Sequence, residues 1–350
     1  MQSFLQLVAH DLYAKIGNDL SRTALIFPNK RANLFFNEYL AGESDQPIWS
    51  PAAMSISDLF QKLSVQKSGD PIRLVCELYK VFKEETQSQE TLDDFYFWGE
   101  LLISDFDDVD KNMVDADKLF SNLQDLKNLM DDYEFLDKEQ EEAIQQFFQN
   151  FSIERRTELK EKFISLWDKL GTIYHHYREN LTELGIAYEG MLYRNVIEQL
   201  DTDQLKYDKY IFVGFNVLNK VENEFFRKLK DAGKALFYWD YDIFYTQQIR
   251  KHEAGEFLKR NLGEFPNELP ESFFDTFKEQ KKIRYISAST ENAQARFLPE
   301  WIKMITDNHS QIAEEKEKEN AVVLCNEALL LPVLHSIPQE VKNVNITMGF

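Results

Sequence analysis

Five short apolar runs stand out along the chain, at residues 23–27, 210–213, 235–239, 283–288 and 321–325. Each is rich in β-branched and aromatic residues and is bounded by polar or turn residues, the pattern of a strand buried on both faces. Each is followed by a helical stretch or a loop, which is the βα order of a parallel sheet. The segment between the first and second runs has another period. Leu119, Leu123, Leu126, Met130 and Tyr133 recur at helical spacing over 115–133, and Phe163, Leu166, Leu170, Ile173 and Tyr177 do so over 160–177. Gly185 follows Leu184 as a C-cap, and 188–200 reads as one more helix. Pro266 and Pro270 flank a break. Beyond it, Ala293, Phe297, Trp301 and Ile305 are spaced by four over 292–306, with Pro299 inside to kink or split the helix. A strand-like 344–347 comes last.

The predicted fold class is therefore α/β, a parallel sheet with a large all-helical insertion and the start of a second α/β domain. Residues 1–59 and 205–265 form a discontinuous core domain, 60–204 the helical insertion, and 280–350 the start of the second core domain, which looks cut short. A chain of 350 residues is long enough for two domains at about 100–200 residues each. Its 12 Gly and 9 Pro leave few tight turns, which argues against an all-β fold. Its 40 Lys+Arg against 60 Asp+Glu give a net charge of −20, which disfavours a free-standing nucleic-acid binder. A local basic edge, or a basic partner for an acidic body, is compatible with that charge. No apolar run approaches the roughly 20 residues of a membrane span, and the opening residues lack a signal peptide's basic and apolar regions. The reading is a soluble, cytoplasmic protein with no cofactor in this chain.

Catalytic patterns fail one by one. In 105–117, Asp108, Asp110 and Asn112 fall at calcium-loop positions 1, 3 and 5, but Met113 replaces the required Gly and Leu119 the bidentate Glu. The run then reads as an acidic helix start. The histidines form no metal motif; His175 and His176 read as cations late in a helix. Gly233-Lys234 lacks the other residues of a P-loop, and no GxSxG elbow occurs. Glu158-Leu159-Lys160 has nuclease spacing on a helical period. The run 314–319 (EEKEKE) reads as a solvated charged loop. Two cysteines, Cys76 and Cys325, make neither a zinc nor an iron–sulfur site.

Two segments carry more. In ALIFPNKRANLFFNEY (24–39) a strand ends at Pro28, and Asn29, Lys30 and Arg31 occupy the loop at its carboxyl end, where open α/β sheets bind ligands. Two cations with an Asn amide suit a phosphate; an ordinary solvated helix start is the other reading. In 207–242 the order is strand, helix, strand, with Gly214 and Phe215 closing the first strand and Asp240 the second.

The second segment resembles the Walker B and motif III region of superfamily 1 DNA helicases, with Gly214 and Phe215 where the Mg²⁺-binding acids of that family stand and Asp240 kept in the second position. The first resembles the motif that lies against single-stranded DNA in the same fold. Across the chain, FPNKRANLFFNEYL, PIWSP, SISDLF, DFDDVDKNMVDADKLF, YEGMLYR, ENAQARFLPEWI and LLLPVLHSIPQEVKNVNITMGF are similar to the B subunits of AddAB-type helicase–nucleases, in the form found in Bacteroidetes.

The resemblance implies a degenerate, P-loop NTPase-like helicase body that pairs with an active helicase A subunit in double-strand break processing and recombinational repair. It implies a PD-(D/E)xK nuclease domain, often with an iron–sulfur cluster, beyond residue 350. This chain is then the N-terminal, helicase-like part of a longer protein, with neither ATPase nor nuclease activity of its own. Asn29, Lys30 and Arg31, then Ser55 and Ser57, are the DNA-contact candidates, and unwinding or single-stranded DNA is bound weakly by the chain alone. Gly214, Phe215 and Asp240 are the degenerate nucleotide-site positions, Asp240 serving as a cap or ion-pair residue. The competing readings are a scaffold that docks a helicase partner without touching DNA, and a nucleotide hydrolase with a non-Walker loop.

Overall fold

The structure, a computed structural model, describes residues 2–121, 169–247, 253–305 and 320–346. The chain divides into two compact units, Met1–Lys278 and Glu279–Phe350.

The first unit is mixed α/β, built on a four-stranded parallel sheet. Its strands are β1 (Thr23–Phe27), β2 (Ala52–Ser55), β5 (Lys209–Val213) and β6 (Ala235–Tyr238), in the order β2-β1-β5-β6. Ile26 lies beside Met54 on one side and Phe212 on the other. Successive side chains point to opposite faces, so each strand feeds two cores. Ala24, Ile26, Met54, Tyr210, Phe212 and Phe237 face one, and Leu25, Phe27, Ile211, Val213 and Tyr238 face the other. This double burial is why the strands read as unbroken apolar runs.

The second of these faces is covered by α1 (Phe4–Ile16), through Val8, Ala9 and Leu12, and by α2 (Ala32–Ala41), through Phe36 and Leu40. The first is covered by α3 (Ile56–Leu63) and by helices that follow from residue 71 on. These are α4 (Pro71–Thr86), α5 (Leu92–Lys111), α6 (Leu170–Glu183), α7 (Glu189–Gln199) and α8 (Lys220–Asp231). A short parallel pair, β3 (Lys67–Ser68) with β4 (Ile186–Ala187), links their loops. The helical layer shares one continuous core with the sheet. Phe60 of α3 stacks on Tyr193 of α7 at 4.1 Å, and Phe225 of α8 packs on Phe60 at 5.1 Å.

Local chemistry sets the helix starts. Ser55–Asp58, Thr91–Asp94 and Asn219–Glu222 are reciprocal capping boxes, and Asp70 caps α4 ahead of Pro71. Gly185, at φ +67, follows α6 where the C-cap is expected. Past the sheet come α9 (Ile243–Thr246) and α10 (Glu253–Glu264). The segment after α10 then closes the β6 edge. The Glu268 N–H donates to the Phe237 carbonyl at 2.9 Å, and the Trp239 N–H to Asn267 Oδ1 at 3.0 Å.

The described residues of the second unit contain helices and no strand, which corrects the expectation of strands at 283–288 and 321–325 and at described positions 344–346. Ile283, Tyr285, Ile286, Val322 and Val323 are exposed, and no backbone hydrogen bond joins 283–288 or 321–325 to another described segment. A β-branched run becomes a strand only where a neighbour takes its backbone groups and covers its faces. This unit's small core of Ala295, Leu298 and Val333 comes from helices α11 (Glu291–Arg296), α12 (Leu298–Ile305) and α13 (Leu330–Ser336). The chain does split ahead of Pro299, which falls in the first turn of α12.

The acidic run 105–117 is a helix start only at its end, where residues 116–121 are helical and Asp115 Oδ1 accepts from the Lys118 N–H at 3.2 Å. Its first part forms the last two turns of α5, with Asp110 fully buried. Likewise α6 continues to Glu183, so His175 and His176 are not in its final turn. They pair with carboxylates, His175 with Asp117 at 2.7 Å and His176 with Glu85 at 2.6 Å. Residues 158–160 and 314–319, and most of the helix expected over 115–133, lie outside the described residues.

Candidate site at the carboxyl edge of the sheet

The chain leaves β1 for β2 on one side and later returns to β5 on the other, so the topological switch point lies between the carboxyl ends of β1 and β5. The loop of Asn29, Lys30 and Arg31 follows β1 there. Asn29 Oδ1 accepts from the N–H groups of Arg31, at 3.1 Å, and Ala32, at 3.3 Å. Its carbonyl is thus spent on holding the start of α2. The exposed Lys30 ammonium reaches Asp58 Oδ1 at 3.0 Å, tying the β1 loop to the first turn of α3.

Ser55 and Ser57 are drawn into the same edge with separate partners. Buried Ser55 accepts from the Asp58 N–H at 3.2 Å and donates its hydroxyl to Asp58 Oδ2 at 2.7 Å. The Ser55 hydroxyl first, and the Lys30 ammonium after it, hold the Asp58 carboxyl below its ordinary pKa. Ser57 donates to Glu189 Oε1 at 3.1 Å. Glu189 in turn binds Lys111 Nζ at 2.5 Å and the Tyr193 hydroxyl at 3.0 Å. Burial works against the Lys111 charge, but Asp107 and Glu189 outweigh it and raise its pKa. Burial first, with the Glu189 charge adding to it, raises Glu222, which completes the capping box of α8 nearby. The five DNA-contact candidates thus gather on two adjoining loop-to-helix corners. There, Asn29, Ser55 and Ser57 are engaged by protein groups, and Lys30 carries an exposed ion pair worth about 0–1 kcal/mol.

At the end of β5, Gly214 adopts φ +74, a left-handed conformation that suits glycine. Phe215 turns into the core, its ring 5.3 Å from Phe226 and 6.2 Å from Phe212. After β6, Asp240 lies at the surface over enough atoms to lose part of its hydration, which raises its carboxyl. It makes no hydrogen bond or ion pair among the described residues, so it is neither the cap nor the ion-pair residue expected. Asp242 takes the capping role instead, accepting from the Phe244 N–H at 2.9 Å.

Sequence reasoning met Asp110 only as a position of the failed calcium loop and missed its buried network. Its carboxylate accepts from the hydroxyls of Tyr174, at 2.6 Å, and Tyr188, at 2.5 Å, and pairs with Arg178 and Arg194. Arg178 goes on to Asn195, and Asn195 to Gln66. Beside this network, α7 touches down on the end of α5. The Gly190 N–H donates to Asp107 Oδ1, and an added Cβ at Gly190 would strike the Asp107 carbonyl. No local motif announces this arrangement, because its members come from α5, α6, α7 and the turns before β3 and α7.

No protein-family model matches the chain, and no curated protein matches it. Among the described residues, no group of three or more His, Cys, Asp or Glu side chains is arranged to hold a metal ion, and no helix is long and apolar enough to cross a membrane.

Proposed function

We propose that this chain is a non-catalytic, helicase-like scaffold that guides DNA within a helicase–nuclease acting in double-strand break processing and recombinational repair. The observation that carries the reading is the make-up of the switch-point edge. A nucleotide motor needs Mg²⁺-binding acids at the end of β5, and those two positions are a left-handed glycine and a core phenylalanine. The loop of Lys30 and Arg31 stays on the same edge, where open α/β sheets take their ligands. An exposed ion pair as weak as Lys30–Asp58 yields readily to a phosphate. In this reading the motor belongs to a helicase A-type partner, and the complex works in the cytoplasm.

The test is anisotropy of labelled single-stranded DNA against the full chain over a salt series. Binding by the wild type is expected to be weak and salt-sensitive, given the net charge of −20. Lys30→Glu with Arg31→Glu is expected to weaken it and to flatten the salt slope by about 0.7 for each phosphate that is no longer neutralised. Unchanged binding in the double variant would remove this loop from the site.

A second reading has its own support. The outer face of α5 exposes Phe97 and Leu101 among Asp93, Glu100, Asp105 and Asp108. An acidic face with an apolar centre suits a basic surface of a helicase partner. Co-purification of such a partner, with no DNA retained by this chain, would favour docking without DNA contact.

A further inference from the structure

One stretch of the second unit, residues 279–288, belongs to no helix or strand. Residues 279–287 are exposed throughout, Tyr285 at 93% and Ile283 at 62%. Among the described residues, no backbone N–H or C=O of 283–288 enters a hydrogen bond. The composition does not forbid pairing. Neither Gly nor Pro occurs in 279–290, and Ile283, Tyr285 and Ile286 are types that strands favour. Unpaired backbone groups along a β-prone stretch are a template for a strand of another chain.

The charge of the stretch narrows what that strand is. Lys281, Lys282 and Arg284 stand against one acid, Glu279, in a chain of net charge −20. The Arg284 guanidinium reaches the Met304 sulfur at 3.3 Å, and no described carboxylate pairs with Lys282 or Arg284. In a paired strand alternate residues share a face, which puts Lys282 and Arg284 on one and Ile283 and Tyr285 on the other. We propose that residues 282–288 are a docking strand for an extended acidic segment of a partner protein, with carboxylates at alternate positions opposite Lys282 and Arg284. A second copy of this stretch would bring the same cations, and like charges directly opposite are destabilising. A nucleic-acid strand would answer the cations but leave the backbone groups unpaired. An acidic peptide strand meets both demands, its main chain giving affinity and its alternate side chains specificity. This surface does not depend on the DNA-guiding reading, which concerns the loop after β1.

The experiment titrates the full chain against labelled peptides about six residues long. One alternates valine and glutamate, one alternates valine and lysine, and one is the glutamate peptide with every backbone amide N-methylated. The glutamate peptide is expected to bind, more weakly as salt rises, and to slow amide hydrogen exchange over 283–288. The lysine peptide and the N-methylated peptide are each expected to bind at least roughly tenfold more weakly. Lys282→Glu with Arg284→Glu is expected to reverse the preference toward the lysine peptide, a gain that a misfolded variant would not show. Undiminished binding of the N-methylated peptide, unchanged exchange over 283–288, or an unaltered preference in the charge variant would overturn the proposal. Slow exchange of 283–288 in the free chain would overturn it too, since those amides would then have partners already. So would labelled oligo-dT that binds more tightly than the glutamate peptide and is lost in the same variant.

Discussion

Asp110→Ala is expected to destabilise the first unit by about 3–5 kcal/mol, the cost of breaking a buried ion pair by removing one partner. The carboxylate is fully buried and is shared by Arg178, Arg194, Tyr174 and Tyr188. Its loss leaves Arg178 without its acid, Arg194 with Glu198 alone, and two phenols without their acceptor. With Asp110 in place, burial and then the Asp110 charge raise the Tyr174 and Tyr188 hydroxyls above their ordinary pKa, so both donate as neutral phenols. Asp110→Asn keeps an acceptor but not the charge and should fall between alanine and wild type. Urea unfolding followed by circular dichroism measures both; a loss under about 1 kcal/mol for alanine would show that the network does not hold the layer together.

Phe215→Glu, which places an acid where the proposed helicase-like reading expects one in an active motor, is expected to cost at least about 4 kcal/mol and to confer no nucleotide binding. Truncating a core Phe costs about 3–5 kcal/mol, and an unpaired carboxylate among Phe212 and Phe226 adds its desolvation. The apolar control, Phe215→Leu, leaves a smaller side chain but buries no charge, so it should cost less than the glutamate variant. Thermal melts of both variants with and without ATP and Mg²⁺ give the answer, because a ligand of the native state must raise its melting temperature. A stable Phe215→Glu protein that shifts with ATP would mean that the side chain reaches solvent and that this edge takes a nucleotide without a P-loop.

The sheet was legible because its strands are buried on both faces. In Thr23–Phe27 and Lys209–Val213 only the first residue is polar, so little blurs the pattern, and the loops after them follow at once. Helices with regular apolar spacing, such as Glu189–Gln199, were legible for the same reason. Segments 283–288 and 321–325 carry the same local preference, but preference says nothing about whether a neighbouring strand is present. At the edge of the sheet, the sequence brought out Lys30 and Arg31 because they follow a strand. It could not show that Asn29 is spent on α2, or that Ser55 caps α3, since those facts depend on which donors each oxygen finds. Asp110 was hidden more deeply. In an acidic run every carboxylate looks alike, and what sets this one apart is an Arg and a Tyr from α6 and the same pair of residue types from α7 and the turn before it.

That turn has a consequence for how the sequence can drift. Tyr188, Glu189 and Gly190 are consecutive, and each is committed to a different group near the end of α5: Asp110, Lys111 and Asp107. A phenol, a carboxylate and the absence of a side chain are three unrelated demands, so no single substitution can trade one for another. The triplet and its three partner positions should therefore change together or not at all. In distant chains that have lost every other likeness, a Tyr-Glu-Gly following a helix, matched to an Asp-x-x-Asp-Lys upstream, would mark the same crossing of helices.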